Sequence, residues 1–466
     1  MRRSIQSLLT AGLVMLASCT VGPNYQRPQV AVPPSYRGPD NAQSTATESL
    51  GDEKWWTVFK DPALQELIRT ALKQNYNVQI AAARVLEASS QVTITRANQF
   101  PNITAGPEVT GLRQPGIPGV FPGYSYLADV LTGSASWNID FWGRYRRATE
   151  AARATLRASQ WGRRAVTSTL VEDVATAYFQ LREYDLELEI AKRTLASREQ
   201  SLKLTQTLEQ GGATGLEDVR QAQQLVEEAS ELIPQAEQEI QQEENQISIL
   251  LGENPAAIRR GLELRDQEPL PQTVPAGIPS QILERRPDIQ EAEQNLVAAN
   301  AQIGVARAQL FPQISLTGGF GLESIGLNNL FEGANRAWNF AGTATQPIFN
   351  AGSLRANVRL SEAQQQEALL TYKQDIQTAF QEVSNSLVAY KKLREFRQHQ
   401  ALLTEYAKDA SDLSHTRYIG GVTSYLEVLT NETNYFSAEL GLARAQLGER
   451  LSLVQLYNAL GGGWQE

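Results

Sequence analysis

The sequence predicts a mixed α and β chain of two similar halves, each joining two alternating strands to a long helical hairpin. Three observations predict it: an internal self-similarity at a near-constant offset, runs with a period of two, and long segments almost free of Pro and Gly.

Self-similarity sets the order of elements. Asn77-Val78-Gln79-Ile80-Ala81 through Ala97-Asn98-Gln99-Phe100-Pro101-Asn102-Ile103 aligns with Asp288-Ile289-Gln290-Glu291-Ala292 through Ala308-Gln309-Leu310-Phe311-Pro312-Gln313-Ile314 at an offset of 211. Gly143 and Arg146 match Gly352 and Arg355, Gly211-Gly212-Ala213-Thr214 matches Gly420-Gly421-Val422-Thr423, and Leu251-Gly252 matches Leu460-Gly461, all at 209.

The strands follow from alternation. Ile103, Ala105, Pro107 and Val109 face one way and Asn102, Thr104, Glu108 and Thr110 the other. After a Pro- and Gly-rich loop, Gln114 to Gly123, the return run alternates from Leu131 to Phe141. Ile314 to Glu323 and Trp338 to Ile348 repeat the pattern. A period of two with one apolar and one polar face means four strands.

Helices fill the rest. Between Gly143 and Gln210 the only Gly is Gly162, and there is no Pro. Val166, Leu170, Val174, Ala177, Leu181, Tyr184, Leu188, Ala191 and Leu195 recur at spacings of three and four, the stripe of a coiled-coil seam. At 1.5 Å per residue this segment reaches on the order of 100 Å. Gly211-Gly212 and Gly420-Gly421 end such helices, because Gly tolerates positive φ. Further helices are expected from about Asp61 to Asn98 and from Pro279 to Gln309. Pro234 should bend its helix.

Four strands do not close a barrel, since known transmembrane barrels start at about eight and an open edge in lipid leaves amides unsatisfied. A long helical hairpin with a narrow apolar stripe does not bury that stripe alone. Both features demand more than one copy, and symmetric self-association supplies it.

Composition excludes several functions. The net charge of −9 becomes −11 without Arg2 and Arg3, and no basic cluster is present, so nucleic acid is a poor partner. Mean hydropathy is −0.34, and no long apolar run follows the N-terminus, which excludes a helical membrane protein but not a β-barrel. Cys19 is the only Cys, so no internal disulfide or thiolate metal cluster forms. His399 and His415 lie in helical sequence and read as surface residues. Met1 and Met15 are the only Met, leaving the mature chain no thioether for a soft metal such as copper. There is no Ser-His-Asp arrangement and no phosphate-cradling Gly loop, so an enzyme is not expected.

Arg2, Arg3 and the apolar Leu8 to Met15 read as a signal peptide over 1–18. Leu16-Ala17-Ser18-Cys19 resembles a bacterial lipobox, which implies acylation of Cys19. Thr20, in place of the Asp that usually retains such proteins at the inner membrane, implies sorting to the outer membrane. No cofactor other than this covalent lipid is expected.

Three stretches carry a wider resemblance: Leu283-Glu284-Arg285-Arg286-Pro287-Asp288-Ile289-Gln290-Glu291-Ala292-Glu293, Ala298 through Ala308, and Phe311-Pro312-Gln313-Ile314-Ser315-Leu316-Thr317-Gly318. With Trp55-Trp56-Thr57-Val58-Phe59-Lys60-Asp61-Pro62-Ala63-Leu64 and the terminal Leu460-Gly461-Gly462-Gly463-Trp464, they closely resemble the TolC family in its OprM-like lipoprotein branch. The resemblance implies a homotrimeric duct with a twelve-strand barrel, a twelve-helix tunnel and an equatorial domain. It also implies outer-membrane location in a Gram-negative bacterium, a periplasmic adaptor and an inner-membrane pump of the resistance-nodulation-division type. The expected function is passive exit of small molecules such as drugs. A secretion duct for unfolded polypeptides and a non-spanning scaffold lipoprotein are the rival readings.

In these terms 19–61 is a lipidated segment on the equatorial region. The first repeat is 62–266, with strands near 101–113 and 125–141 and a hairpin over 143–251. A Pro-rich linker spans 267–279. The second repeat is 280–461, with strands near 312–323 and 336–349 and a hairpin over 352–460, followed by a tail at 462–466. Asp218 and Glu427 correspond at 209, each just beyond a Gly turn. Acidic residues there favour a helix N-terminus, and they also suit a ring at a tunnel mouth. Family members often carry Asp where this chain has Thr423, so Arg417, Tyr418 and Glu427 become the gate candidates, with Asp218. By resemblance Gly211, Gly212, Thr214, Gly420, Gly421 and Thr423 form tips that meet the adaptor. Trp137, Phe141, Trp142 and Trp338 suit an aromatic girdle or the packing where barrel meets helices.

Overall fold

The computed structural model describes residues 20–37 and 48–465. The expected signal peptide and Cys19 lie outside the described residues. The chain is mixed α and β. A helical turn at Trp55–Val58 precedes α1 (Pro62–Gln74) and α2 (Tyr76–Ala97), then β1 (Asn102–Gln114) and β2 (Tyr124–Ile139). Next come α3 (Arg144–Gln210) and α4 (Leu216–Leu251). A turn at Ile282–Arg285 leads to α5 (Pro287–Ala308), followed by β3 (Gln313–Ser324) and β4 (Arg336–Thr345). Last are α6 (Ser353–Ile419) and α7 (Tyr425–Ala459). Helices α3 and α6 each have 67 residues. No described helix is long and apolar enough to cross a membrane.

Local chemistry moves four expected boundaries. The helix expected over Asp61–Asn98 is two helices. Asn75 is extended, and its Oδ1 accepts the amides of Asn77 at 2.8 Å and Val78 at 3.3 Å, so it caps α2. The helix expected from Pro279 starts at Pro287, because Arg286 before that Pro is driven to an extended ψ of 122°. β2 stops at Ile139, where Asp140 accepts the amides of Tyr145 at 3.1 Å and Arg146 at 2.8 Å. β4 stops at Thr345, ahead of Pro347, which has no amide for a ladder. Helix α4 is continuous through Pro234.

The chain divides into two compact units. The first holds 20–29, Arg84–Gln160 and Glu291–Lys373. Its four strands form one antiparallel sheet in the order β1-β2-β3-β4, with Ile139 opposite Ile314 joining the two hairpins. Outer strands β1 and β4 each have one neighbour. Apolar side chains on the sheet stay uncovered, with Ile103, Val109, Phe340 and Trp338 between 68% and 78% exposed.

An extended N-terminal strap crosses this unit. Val21 donates its amide to the Trp142 carbonyl at 3.0 Å, and Asn300 Nδ2 donates to the Pro23 carbonyl at 3.0 Å. Arg147 Nη2 donates to Asn24 Oδ1 at 2.6 Å, and Glu293 takes Tyr25 and Arg27. Gly22 sits at φ +104° directly on Gly304, where an added Cβ would lie 2.5 Å from the Gly304 Cα. Gly22→Val is therefore expected to lift the strap from α5 at a cost of about 2 kcal/mol. Limited proteolysis should then cut within 20–29, and an unchanged digest would contradict the contact.

The second unit holds 30–37, 48–83, Trp161–Gln290 and 374–465. Leu64 and Ile68 of α1, Tyr178 and Leu181 of α3, Ile247 of α4, Ile376 of α6 and Tyr457 of α7 are fully buried in it. Asp61 caps α1 through the Ala63 amide at 2.9 Å and accepts the Tyr178 hydroxyl at 2.6 Å.

Candidate functional site

The candidate gate residues lie in the second unit, where α3 turns into α4 and α6 into α7. Both turns end their helices in the same way. Gly212 and Gly421 each adopt φ +70°, and the next residue's amide reaches back to the helix, Ala213 to the Leu208 carbonyl at 2.8 Å and Val422 to the Arg417 carbonyl at 2.9 Å. This six-to-one bond needs a left-handed residue, which explains the second Gly of each pair.

The Thr after each Gly turn also has a physical role. Thr214 donates its hydroxyl to Asp218, and Thr423 donates to Glu427. Each carboxylate sits in the first turn of its helix, near the free amides. Gly215 and Ser424 at the cap positions make no side-chain bond to the helix. The Thr–carboxylate pair thus fastens each turn to the helix it begins.

The two turns are joined. Arg417 Nη1 donates to Glu427 Oε1 at 2.8 Å, with the two side chains 53% and 36% exposed. Tyr418 lies near Thr214 and Asp218 of the other turn, and burial together with the Asp218 charge raises its pKa. Its ring lies 5.4 Å from that of Tyr425, over a core of Ala222, Tyr425 and Val428. Arg417, Tyr418, Thr423, Glu427, Thr214 and Asp218 therefore form one cluster. Val422 and Ile419 stand 70% and 74% exposed beside it.

The four aromatic candidates divide. Trp142 stacks on Phe311 at 4.7 Å and donates to the Pro312 carbonyl at 2.9 Å, with Phe141 beside it, so this pair packs at the strand–helix junction. Trp137 donates to the Gln99 carbonyl at 3.0 Å, while Trp338 stands outward on the sheet.

Comparison with known proteins shows the family of the chain. The model of the outer membrane efflux protein family matches twice, over residues 67–253 and 278–462. The chain belongs to that family. It is 38% identical over 475 residues to the toluene efflux pump outer membrane protein TtgC of Pseudomonas putida, covering 100% of this chain and 97% of that one. It is 34% identical to the cation efflux system protein CusC of Escherichia coli over 97% of both chains. It is 33% identical over 99% of both chains to SilC of Salmonella typhimurium, described as a probable outer membrane lipoprotein. Among solved structures, the open-state MtrE channel of Neisseria gonorrhoeae superposes with a TM-score of 0.85 at 32% identity, covering 96% of this chain and 99% of that one. The CmeC channel of Campylobacter jejuni gives 0.89 at 25% identity, covering 96% and 95%.

Within this efflux family chain, a second polar group below the turns escaped the sequence reading. His415, read there as a surface residue, is partly buried and bonds Glu432 at 2.5 Å. Arg198 of α3, only 2% exposed, lies 4.7 Å over Phe436 and donates to the Leu225 carbonyl at 2.7 Å and Glu228 at 3.2 Å. Burial lowers its pKa, and the charges of Glu228 and Glu432 oppose that. One signal was available: Arg198 continues the α3 apolar stripe at the spacing of Ala191 and Leu195, where a cation has to find partners. No group of three or more metal-ligating side chains occurs among the described residues.

Proposed function

We propose that this chain is the outer-membrane exit channel of an efflux pump, conducting small molecules passively from the periplasmic side to the exterior. The observation that carries this reading is the four-stranded sheet, with one-neighbour outer strands and an uncovered apolar face, in a chain of the outer membrane efflux protein family. Three copies would pool their strands into one closed twelve-strand wall, which leaves no raw amide edge in lipid. The same association covers apolar groups on α6 such as Phe396, Leu403 and Leu413, each more than half exposed in one copy.

Lipid on Cys19, a periplasmic adaptor seated on Gly211, Gly212, Thr214, Gly420, Gly421 and Thr423, and an inner-membrane pump of the resistance-nodulation-division type complete the assembly. The names of the relatives span toluene and cations, which supports a duct wall without a cargo code and a choice made by the pump. Arg417, Tyr418, Glu427, Thr423 and Asp218 then close the periplasmic mouth.

An exposed ion pair contributes at most about 1 kcal/mol, or roughly fivefold in an equilibrium. Arg417→Ala and Glu427→Ala are each expected to raise the open fraction of the reconstituted channel by up to that factor per copy, read as single-channel conductance. Unchanged conductance in both variants removes the gate assignment. A lipid-modified chain that stays monomeric in the aqueous phase overturns the duct itself.

A further inference from the structure

Several buried and partly buried arginines of the second unit share a habit. Arg286 holds Asp288 and Glu382, Arg182 holds Asp185, and Arg260 holds Asp185 and Glu244. Arg397 holds Glu449 at 2.6 Å. Arg450, one residue from Glu449 and partly buried, breaks the habit: no carboxylate pairs with it among the described residues. Its shown bond is from Nη2 to the Gln267 carbonyl of the inter-half linker, at 3.1 Å. Glu449 is committed to Arg397, and Glu268 is committed to Lys60 at 2.8 Å. Burial accordingly lowers the Arg450 pKa. A guanidinium has five N–H donors, and those that the Gln267 carbonyl does not take remain open to an anion.

Arg450 lines a cavity of about 350 Å³, the lower end of ligand-pocket sizes. Its walls are mostly apolar, with Val58, Phe59, Leu64, Phe179, Leu270 and Leu453 among them. Asp61 also lines it, but that carboxylate is already saturated by the Ala63 and Leu262 amides, Tyr178 and Gln267. The exposed Lys60–Glu268 pair also lines it, as does Glu53, whose carboxylate accepts the Thr57 hydroxyl at 3.3 Å.

We propose that this cavity binds a small amphiphilic anion, with its carboxylate or sulfonate head on Arg450 and its apolar body among Phe59, Leu64 and Phe179. The head supplies the counter-charge that the fold withholds, and the body removes apolar wall from water. The volume suits a single short chain or ring and excludes a two-tailed lipid. Arg450's bond to the linker means that an occupant also bears on the position of the segment joining the two halves.

The test uses the full-length protein in nanodiscs of zwitterionic lipid, titrated with octanoate by calorimetry. Octanoate is expected to bind saturably, while octanol, which lacks the charge, and acetate, which lacks the body, bind at least about tenfold more weakly. Arg450→Gln keeps a donor for the Gln267 carbonyl and is expected to weaken octanoate about tenfold or more. Leu453→Phe fills the cavity with the guanidinium intact and should abolish binding, which covers the case in which Arg450→Gln does not fold. Nanodiscs containing phosphatidylglycerol distinguish the source of the anion: unchanged octanoate affinity assigns the site to free anions, and competition assigns it to membrane lipid and overturns the size argument. Absence of saturable octanoate binding, as when a neighbouring copy fills the space, or equal binding of octanol, overturns the proposal.

Discussion

Arg286→Met is expected to cost about 3 kcal/mol of stability, the largest single loss we predict outside the apolar core. Arg286 is 8% exposed and stands where the turn Ile282–Arg285 meets α5. It donates to Asp288 at 2.6 and 3.1 Å, to Glu382 of α6 at 2.7 Å and to the Ala459 carbonyl at the end of α7 at 3.1 Å. One side chain therefore ties three elements. Burial works against its charge, yet the bonds to Asp288 and Glu382 hold its pKa above the ordinary value, and the same bonds hold Asp288 below its own. The sign for Asp288 is that of a depressed carboxylate: its contribution is present above pH 3.8, its ordinary pKa, and is lost as pH falls through the folded value. Met fills the volume but takes the guanidinium donors away from Asp288, Glu382 and a carbonyl. Because Asp288 and Glu382 are about half exposed as side chains, water recovers part of the loss, which places the cost at the low end for a broken buried pair. Nearby Glu172, pushed up to about 7 chiefly by burial, has the Arg286 charge as one of its lowering influences, so its pKa should rise further in the variant. Denaturant midpoints at pH 7 and pH 3 test this: the deficit should shrink at the lower pH, and a midpoint shift under 1 kcal/mol at pH 7 would refute the reading.

Much of the architecture was legible in residues because few forces decide it. Alternation from Leu131 to Phe141 reads as a strand since the pleat has a period of two. The spacing from Val166 to Leu195 reads as a helix since nothing interrupts the ladder. Gly212 and Gly421 read as stops because only Gly adopts their φ freely. What was not legible depended on side chains far apart in sequence. Asn75 breaks a helix that propensity alone would continue, because its side chain competes for amides and Leu250 accepts its Nδ2 at 2.9 Å. The gate cluster was half visible: Arg417 and Glu427 are near in sequence, but Tyr418 meeting Thr214 needs the two hairpins side by side. Thr214 with Asp218 and Thr423 with Glu427 share an i,i+4 spacing that a search for hydroxyl–carboxylate pairs would have found.

Glu432→Gln is expected to erase a pH dependence built into the region below the turns, the second large effect. His415 on α6 and Glu432 on α7 lie seventeen residues apart across the Gly turn and bond at 2.5 Å. The groups facing them are Asp412 on α6, Tyr425 on α7, and Arg198 on α3, which itself holds Glu228 of α4. The bond to Glu432 raises the His415 pKa above 6.5 against the opposing effect of burial. A raised His contributes stability that is fully present below its unfolded pKa near 6.5 and is lost as pH rises through the folded value. The α6–α7 hairpin is thus tied most firmly in mildly acidic solution and loosens above neutrality. His415 is about a third exposed, so the difference is about 1 kcal/mol rather than the 1.5–3 kcal/mol of a fully buried charged bond. Hydrogen exchange of amides in 411–436, corrected for intrinsic rates and read as opening free energy, should show that loss between pH 6 and pH 8.5. In Glu432→Gln the profile should be flat, because Gln bonds neutral and charged imidazole with little preference. The variant should also be less stable at every pH, since Arg198 loses a nearby counter-charge in a site where its Nε and Nη2 already lack partners. A wild-type opening energy that does not change with pH would dismiss the His415–Glu432 tie as a functional element and leave Arg198, with Glu228 and the Leu225 carbonyl, as the buried polar anchor of this level.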